Sequence, residues 1–110
     1  MIKAQLAAAR VKVVHHFAAG LYSKEMRVPA GVEIGKHVHE FDHFSMLMQG
    51  SVELDVDGEI SVQHAPALLT IRAGAQHVIT ALTDVVWHCI HATTETDPDK
   101  VDTVLTEGSV

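Results

Sequence analysis

The 110-residue chain, of 11.9 kDa, is long enough to bury a hydrophobic core as one domain without disulfides or other covalent cross-links. Its formal net charge of -6, with 8 Lys plus Arg and no basic cluster, argues against a nucleic-acid partner or a surface for anionic lipid. Hydrophobic residues at 47% and charged residues at 20% are close to the values of ordinary globular proteins, which suggests neither disorder nor a fibrous repeat.

The single cysteine and the first residues of the sequence indicate the cellular compartment that we expect for the protein. Cys89 cannot form an internal disulfide, and its strand context predicts a reduced, buried thiol. Met1-Ile2-Lys3 opens a segment without the apolar core of a signal peptide, and no apolar run approaches the roughly 18 residues that span a bilayer. We therefore expect a cytoplasmic protein without a membrane partner.

In chain order, the sequence divides into an N-terminal segment, a run of strands and an acidic tail. Residues 1–20 precede the first predicted strand, and within them 4–9 could form a helical turn or lie loosely. Two-residue alternation between glycine-containing turns then predicts eight strands, at 21–28, 32–38, 43–49, 51–57, 59–63, 67–71, 77–82 and 85–91. Residues 93–110 are polar and acidic, and Asp97-Pro98 could begin a short helix there or belong to a flexible tail.

The clearest strand signal lies in the middle of the chain. Val52, Leu54 and Val56 alternate with polar residues up to Asp57-Gly58, a dipeptide typical of tight hairpin turns. Many short antiparallel strands at this spacing predict an all-β single domain, either a sandwich or a jelly-roll barrel, with its core at about residues 21–91.

Nine histidines are the unusual feature of the composition, and four of them have a spacing that suits a metal site. His37 and His39 are two residues apart, so an extended strand would direct both imidazoles from one face. His43 follows a three-residue break that could return it beside the pair. His77 comes directly after the Gly74 bend and could join them if the sheet closes. Such a set suits one divalent transition metal ion: iron, manganese, nickel, copper or zinc.

The other five histidines receive no ligand role. We predict that His15 and His16, ahead of the first strand, are exposed and inert, and that His64 is a loop residue beside Pro66. His88 and His91 fall on opposite faces of the last strand, and their roles stay open.

The histidine spacing resembles the cupin superfamily. The first cupin motif is a glycine, five residues, His-x-His, three or four residues, glutamate, six residues and glycine. This chain has Gly31, the His37-x-His39 pair, His43 and Gly50 at those spacings, with histidine at the glutamate position. The second motif, Pro-x-Gly-x-x-His, is matched by residues 72–77 with arginine in place of proline.

The resemblance covers about residues 21–91 and implies a cupin-type jelly-roll, an antiparallel β-barrel with a metal in its mouth. The ligands that it implies are His37, His39, His43 and His77, as in small single-domain cupins with four histidines. Without a carboxylate ligand the full charge of a divalent ion remains, which favours anionic ligands.

Five further residues are candidates for lining the pocket. Trp87 and Cys89 share one face of the last strand, although packing in the core or in a dimer interface would also explain the tryptophan. Ser45 and Leu47 share the alternation of His43. Glu33 could act as a base or as a hydrogen-bond partner that orients a metal ligand, and the alternative is an exposed position on the surface.

These features favour a metal-dependent, dioxygenase-like enzyme that acts on a small oxygenated organic molecule. An octahedral ion with four imidazole ligands has two open positions, enough for substrate and dioxygen. The alternatives are isomerase or lyase chemistry, with the metal as Lewis acid, and a barrel that binds a metal or small ligand without catalysis. Apolar residues opposite the ligand face, including Phe44, Met46 and Met48, predict a homodimer.

Overall fold

Short antiparallel strands make up the part of the chain that the computed structural model describes, which is residues 10–34, 42–93 and Asp97. The nine strands are β1 (Lys12–Ala18), β2 (Leu21–Val28), β3 (Glu33–Ile34), β4 (His43–Gln49), β5 (Ser51–Val56), β6 (Glu59–His64), β7 (Ala67–Ile71), β8 (His77–Ala81) and β9 (Val85–Ala92). No helix occurs in these ranges, and the helix considered at Asp97-Pro98 falls outside them apart from Asp97 itself. Among the described residues there is accordingly no helical segment of a length and hydropathy that could cross a membrane.

The strands form two antiparallel sheets. The five-stranded sheet has the order β1-β2-β9-β4-β7, and the four-stranded sheet has the order β3-β8-β5-β6. Strands that are neighbours in a sheet are often distant in sequence, because β9 lies between β2 and β4, and β8 lies between β3 and β5. This is a jelly-roll arrangement, and it confirms the predicted all-β antiparallel fold class.

A hydrophobic core fills the space between the sheets. Alternate residues of β4, β8 and β9 are buried, so each of these strands directs one face inward. The buried apolar residues include Met26, Val28, Val32, Leu47, Val52, Leu54, Ile79, Ala81, Val85, Trp87 and Cys89. Because a shift of one residue would exchange the two faces of a strand, this burial sets the register in which the strands pair.

The N-terminal boundary of the strands differs from the prediction. Residues 1–20 were expected to precede the first strand, but Lys12–Ala18 forms β1 and pairs with β2 along its whole length, from Lys12 with Arg27 to Ala18 with Leu21. As an edge strand, β1 leaves most of its side chains exposed. Burial therefore does not impose strict alternation on its sequence, and the signal that identifies the other strands is absent.

The predicted hairpin turn between β5 and β6 is confirmed. Asp57 and Gly58 both have positive φ, at 50° and 87°, as a two-residue turn of type I′ requires. Gly50, between β4 and β5, also has a positive φ of 88°. A Cβ atom at Gly50 would collide with the backbone oxygen of Asp84 and lie 2.7 Å from Oγ1 of Thr83. The reversal after β4 therefore depends on glycine for both its φ and the lack of a side chain.

A polar cluster joins β1, β2 and β9 on the outer face of the five-stranded sheet. The Glu25 carboxylate is buried and accepts hydrogen bonds from Nε2 of His16, at 2.9 Å, and Nε of Arg27, at 2.8 Å. Nε2 of His88 lies 3.8 Å from the same carboxylate, and its Nδ1 is hydrogen-bonded to the Ser23 hydroxyl at 2.7 Å.

Two members of the cluster, Glu25 and His88, have shifted pKa values. The hydrogen bond from His16 lowers the pKa of the Glu25 carboxyl below its ordinary value, against the opposing effect of burial, and Arg27 lowers the pKa further. Burial lowers the pKa of the His88 imidazole, although Glu25 opposes this shift. Both shifts disfavour proton uptake by the folded state.

Gly50→Ala is expected to destabilise the fold more than Gly58→Ala. Positive φ alone costs an alanine about 1–2 kcal/mol at either position. A Cβ at Gly58 has no atom within 4 Å, whereas at Gly50 it meets backbone that cannot easily move. We expect the free energy of unfolding to fall by at least about 1 kcal/mol more for Gly50→Ala. Urea unfolding measures the difference, and equal losses in the two variants would contradict the proposed close approach.

Glu25→Gln is expected to weaken the loss of stability on acidification. A carboxyl whose pKa is lowered by folding contributes stability above its unfolded pKa, and that contribution disappears as the pH falls through its folded pKa. The melting temperature of the parent protein should therefore fall more than that of Glu25→Gln between about pH 7 and about pH 3.5. Glu59→Gln, at an exposed carboxylate of β6, is the matched control and should retain the parent's pH dependence.

Candidate metal centre

Two of the four predicted metal ligands lie close together between the sheets. His43 is the first residue of β4 in the five-stranded sheet, and His77 is the first residue of β8 in the four-stranded sheet. Both are buried, with 5% and 1% of their surface exposed, and their ring centroids are 6.2 Å apart. Sequence alternation explains the inward direction, because Ser45 and Leu47 follow His43 on the buried face of β4.

The separation of the two rings fits coordination of a shared ion. Imidazoles bound to one metal through bonds of about 2.1 Å have ring centroids up to about 6.5 Å apart when they lie on opposite sides of the ion. The observed 6.2 Å between His43 and His77 lies within that limit. The donor chemistry also fits, since imidazole nitrogen is a common ligand of first-row transition metals.

The remaining predicted ligands, His37 and His39, lie in residues 35–41, outside the described residues. Within the described part of the chain, no group of three or more His, Cys, Asp or Glu residues has the geometry to hold a metal ion. Of the four predicted ligands, two therefore lie close together, and the structure leaves the other two untested.

His91 is a member of this region that received no role from the sequence. Its ring stacks on His43, with centroids 4.6 Å apart and planes at 24°. The pairing of β4 with β9 explains the contact, because Phe44 lies opposite Ile90, and His43 and His91 are the next residues beyond that pair on the two strands. The sequence did contain a signal, since His91 shares the face of Trp87 and Cys89 on the last strand.

An aromatic cluster continues from His91 toward the N-terminal edge of the sheet. Tyr22 lies opposite His91 in the pairing of β2 with β9 and is completely buried. Phe17 stacks on Tyr22 with centroids 5.1 Å apart, and the Tyr22 hydroxyl forms a 2.7 Å hydrogen bond with Nδ1 of His15. The region around His43 is thus bordered by rings from β1, β2 and β9.

The structure adds contacts for three histidines that the sequence did not predict. His15 is half-buried rather than exposed, and it is hydrogen-bonded to Tyr22. The His16 side chain is 51% exposed, as expected, and it is hydrogen-bonded to Glu25. His64 was expected in a loop; it is the last residue of β6, and its Nδ1 is hydrogen-bonded to the Ser51 hydroxyl at 2.7 Å. These pairings cross between strands, and sequence spacing alone does not reveal them.

Four of the five pocket candidates are deeply buried on the inner faces of β4 and β9. Ser45 lies opposite Cys89, with Oγ and Sγ 3.8 Å apart, and Leu47 lies opposite Trp87. Leu47, Trp87 and Cys89 belong to the hydrophobic core, as the packing alternative for the tryptophan anticipated.

The Trp87 indole N–H is buried and has no hydrogen-bond acceptor in the described part of the chain, a situation that costs about 1–3 kcal/mol.

Glu33 lies apart from the other pocket candidates. It is exposed, and it pairs with Thr80, whereas Ile34 pairs with the buried Ile79. Residues that are directly opposite in a sheet share a face, so Glu33 lies on the face opposite to Ile79 and His77. This agrees with the surface position that the sequence left as the alternative.

The sequence matches no protein-family model, and it matches none of the curated proteins. Solved structures with a similar fold do exist. A Cupin 2 conserved barrel domain protein from Salinispora arenicola has a TM-score of 0.66 at 22% identity, over 84% of this chain and 81% of that chain. A cupin superfamily protein from Desulfitobacterium hafniense has a TM-score of 0.68 at 13% identity, over 76% and 78%.

A third similar structure is a predicted oxalate decarboxylase from Thermotoga maritima, with a TM-score of 0.66 at 18% identity over 76% of this chain and 80% of that chain. Identities this low carry information on fold rather than on activity. Together with the two antiparallel sheets, the likenesses show that the chain has the cupin-type jelly-roll fold.

Proposed function

We propose that this protein is a metal-binding cupin in which His37, His39, His43 and His77 hold one divalent transition metal ion. The observation that carries the proposal is the meeting of two buried imidazoles, His43 and His77, from facing sheets at a distance that a shared ion would allow. The spacing of the first cupin motif supplies the other two ligands.

Four imidazole ligands favour iron, manganese, nickel, copper or zinc over calcium, which prefers oxygen ligands. Histidine at position 43 replaces the glutamate of the motif and removes a negative charge from the site. We therefore expect the bound molecule to be anionic, or to become so on binding.

We further propose dioxygenase-like chemistry on a small oxygenated organic molecule. A metal with open positions would supply binding of both substrate and dioxygen. The protein's own residues would orient the metal ligands and exclude water from the site. His91 stacks on His43 and limits rotation of that ring, as groups around a metal ligand commonly do. Ser45, Leu47, Trp87 and Cys89 would form the inner wall.

The similar structure described as a predicted oxalate decarboxylase supports a small organic acid as substrate, since oxalate belongs to that class. Isomerase or lyase chemistry needs a general base, and the exposed outward position of Glu33 leaves a histidine as the remaining candidate for that role. The non-catalytic alternative, a barrel that only binds a metal or small ligand, is separated from the enzyme by the second experiment below.

We also propose that the protein forms a homodimer and is located in the cytoplasm. Phe44 and Met48 are 51% and 52% exposed, and Leu68 on the neighbouring strand is 59% exposed. They lie on the outer face of the five-stranded sheet, where a second copy could bury them in a symmetric contact. The cytoplasmic location rests on sequence features alone.

His43→Ala and His77→Ala are each expected to lower metal occupancy at least tenfold, because each removes a direct ligand. Metal analysis of protein purified without added metal, together with titration of the apoprotein, measures occupancy and affinity. His64→Ala is the matched control, since its ring is exposed on β6 and bonded to Ser51. Equal metal loss in all three variants, or none in any, would contradict the ligand assignment.

Open coordination positions distinguish an enzyme of this kind from a structural metal site. We expect cobalt-substituted protein to show the weak visible absorption of a six-coordinate ion, and the spectrum to change when oxalate is added. Iron-loaded protein should then consume dioxygen with a small organic acid in an oxygen-electrode assay. An intense four-coordinate spectrum that oxalate does not change would favour the structural alternative and contradict the oxygenase proposal.

A further inference from the structure

A second concave site lies at the opposite end of the five-stranded sheet from the histidines. It is an open pocket of about 320 Å³, bordered by the end of β2, the end of β4 and the start of β9. His43 is at the start of β4, whereas Gln49, at its other end, lines this pocket. The pocket therefore does not belong to the candidate metal centre.

Three basic side chains line this pocket: Arg10, Lys12 and Arg27. They are three of the 8 Lys and Arg residues in a chain whose net charge is -6. Arg27 donates from Nε to Glu25, which fixes its position, whereas neither Arg10 nor Lys12 forms an ion pair within the described part of the chain. Of the five Lys and Arg residues in the described part of the chain, three therefore line this pocket.

The pairing of β1 with β2 makes this concentration costly. Lys12 lies directly opposite Arg27 in the register, and like charges at directly opposed positions destabilise a sheet. Glu25 forms an ion pair with Arg27, Asp84 is the one acidic residue that lines the pocket, and Lys12 and Arg10 form no ion pair within the described residues. An anion bound between them would relieve the repulsion.

The other residues that line the pocket indicate which kind of anion would fit in it. Val28, Pro29, Val85 and Val86 give the pocket an apolar side. The register of β4 with β9 shifts between Leu47 and Gln49, and irregularities of this kind often occur beside binding sites. Asp84 also lines the pocket, and its Oδ1 accepts a hydrogen bond from the Ala30 backbone N–H at 3.0 Å. One carboxylate among three cations leaves a net positive lining.

We propose that this pocket binds a small organic anion, a carboxylate with a short apolar body. The carboxylate lies against Arg10, Lys12 and Arg27, and the apolar body lies against Val85 and Val86. The volume is near the lower end for small-molecule sites, which limits the ligand to a small one. The site is separate from the metal centre and does not depend on the proposed function.

Titration of isotope-labelled full-length protein with hexanoate, followed by amide NMR shifts, tests the proposal. Hexanoate should give saturable shifts at Lys12, Asp84 and Val86, whereas hexanol, of equal length without the charge, and acetate, without the apolar body, should bind at least about tenfold more weakly. The double variant Arg10→Gln, Lys12→Gln should weaken hexanoate binding about tenfold.

Asp84→Asn should tighten hexanoate binding, because it removes the competing negative charge while keeping an oxygen for the Ala30 N–H. Lys12→Gln alone should leave the melting temperature unchanged or raise it without ligand, since a like-charge contact is removed. Arg72→Gln, an exposed arginine outside the pocket, is the control and should bind hexanoate as the parent does.

The result for His77→Ala separates the two sites. Unchanged hexanoate binding in this variant is expected, even where its metal binding is lost. The proposal is overturned if hexanoate causes no saturable shifts at the pocket, if hexanol binds equally well, or if the double variant binds as tightly as Arg72→Gln. It is also overturned if the hexanoate shifts follow His43 and His77 and disappear in His77→Ala.

Discussion

The inward alternation of β4 and β8 is the constraint on which the rest of this structure depends. The strand pairings that direct His43 and His77 into the space between the sheets also direct Leu47 and Ile79 into the core beneath them. A slip of one residue would expose the apolar side chains together with the imidazoles. The free energy of burying the core therefore also directs the two histidines toward each other.

The strands of the middle of the chain could be predicted because each has a buried and an exposed face. The predicted bounds of β2, β4 and β7 agree with the structure, and the Asp57-Gly58 turn has the positive φ values that its residues favour. Such signals are local, since alternation and turn chemistry depend only on neighbours in sequence. β1 lacked them because an edge strand buries few of its side chains.

The surroundings of the site were harder to predict because they depend on which strands become neighbours. The stacking of His91 on His43 and the hydrogen bond of His15 with Tyr22 arise from the position of β9 between β2 and β4. Alternation predicted which face of the last strand carries His91, but it could not predict which strands would lie beside it. Glu33 illustrates the same point, since its direction became clear only from its pairing with Thr80. Cross-strand partners are set by the whole topology, and one sequence contains little direct information about them.

The two ends of the five-stranded sheet differ in chemistry as a consequence of this topology. The start of β4 and the end of β9 carry imidazoles, whereas the end of β2 and the start of β1 carry the cations. Between them lies the core row of Met26, Trp87 and Leu47, a dry layer that separates the two groups of polar side chains. Positive charge at one end would repel a metal cation at close range, and the separation between the two ends and screening by solvent ions weaken that repulsion. The proposed metal site with its neutral ligands and the proposed anion pocket are therefore compatible with each other in one small chain.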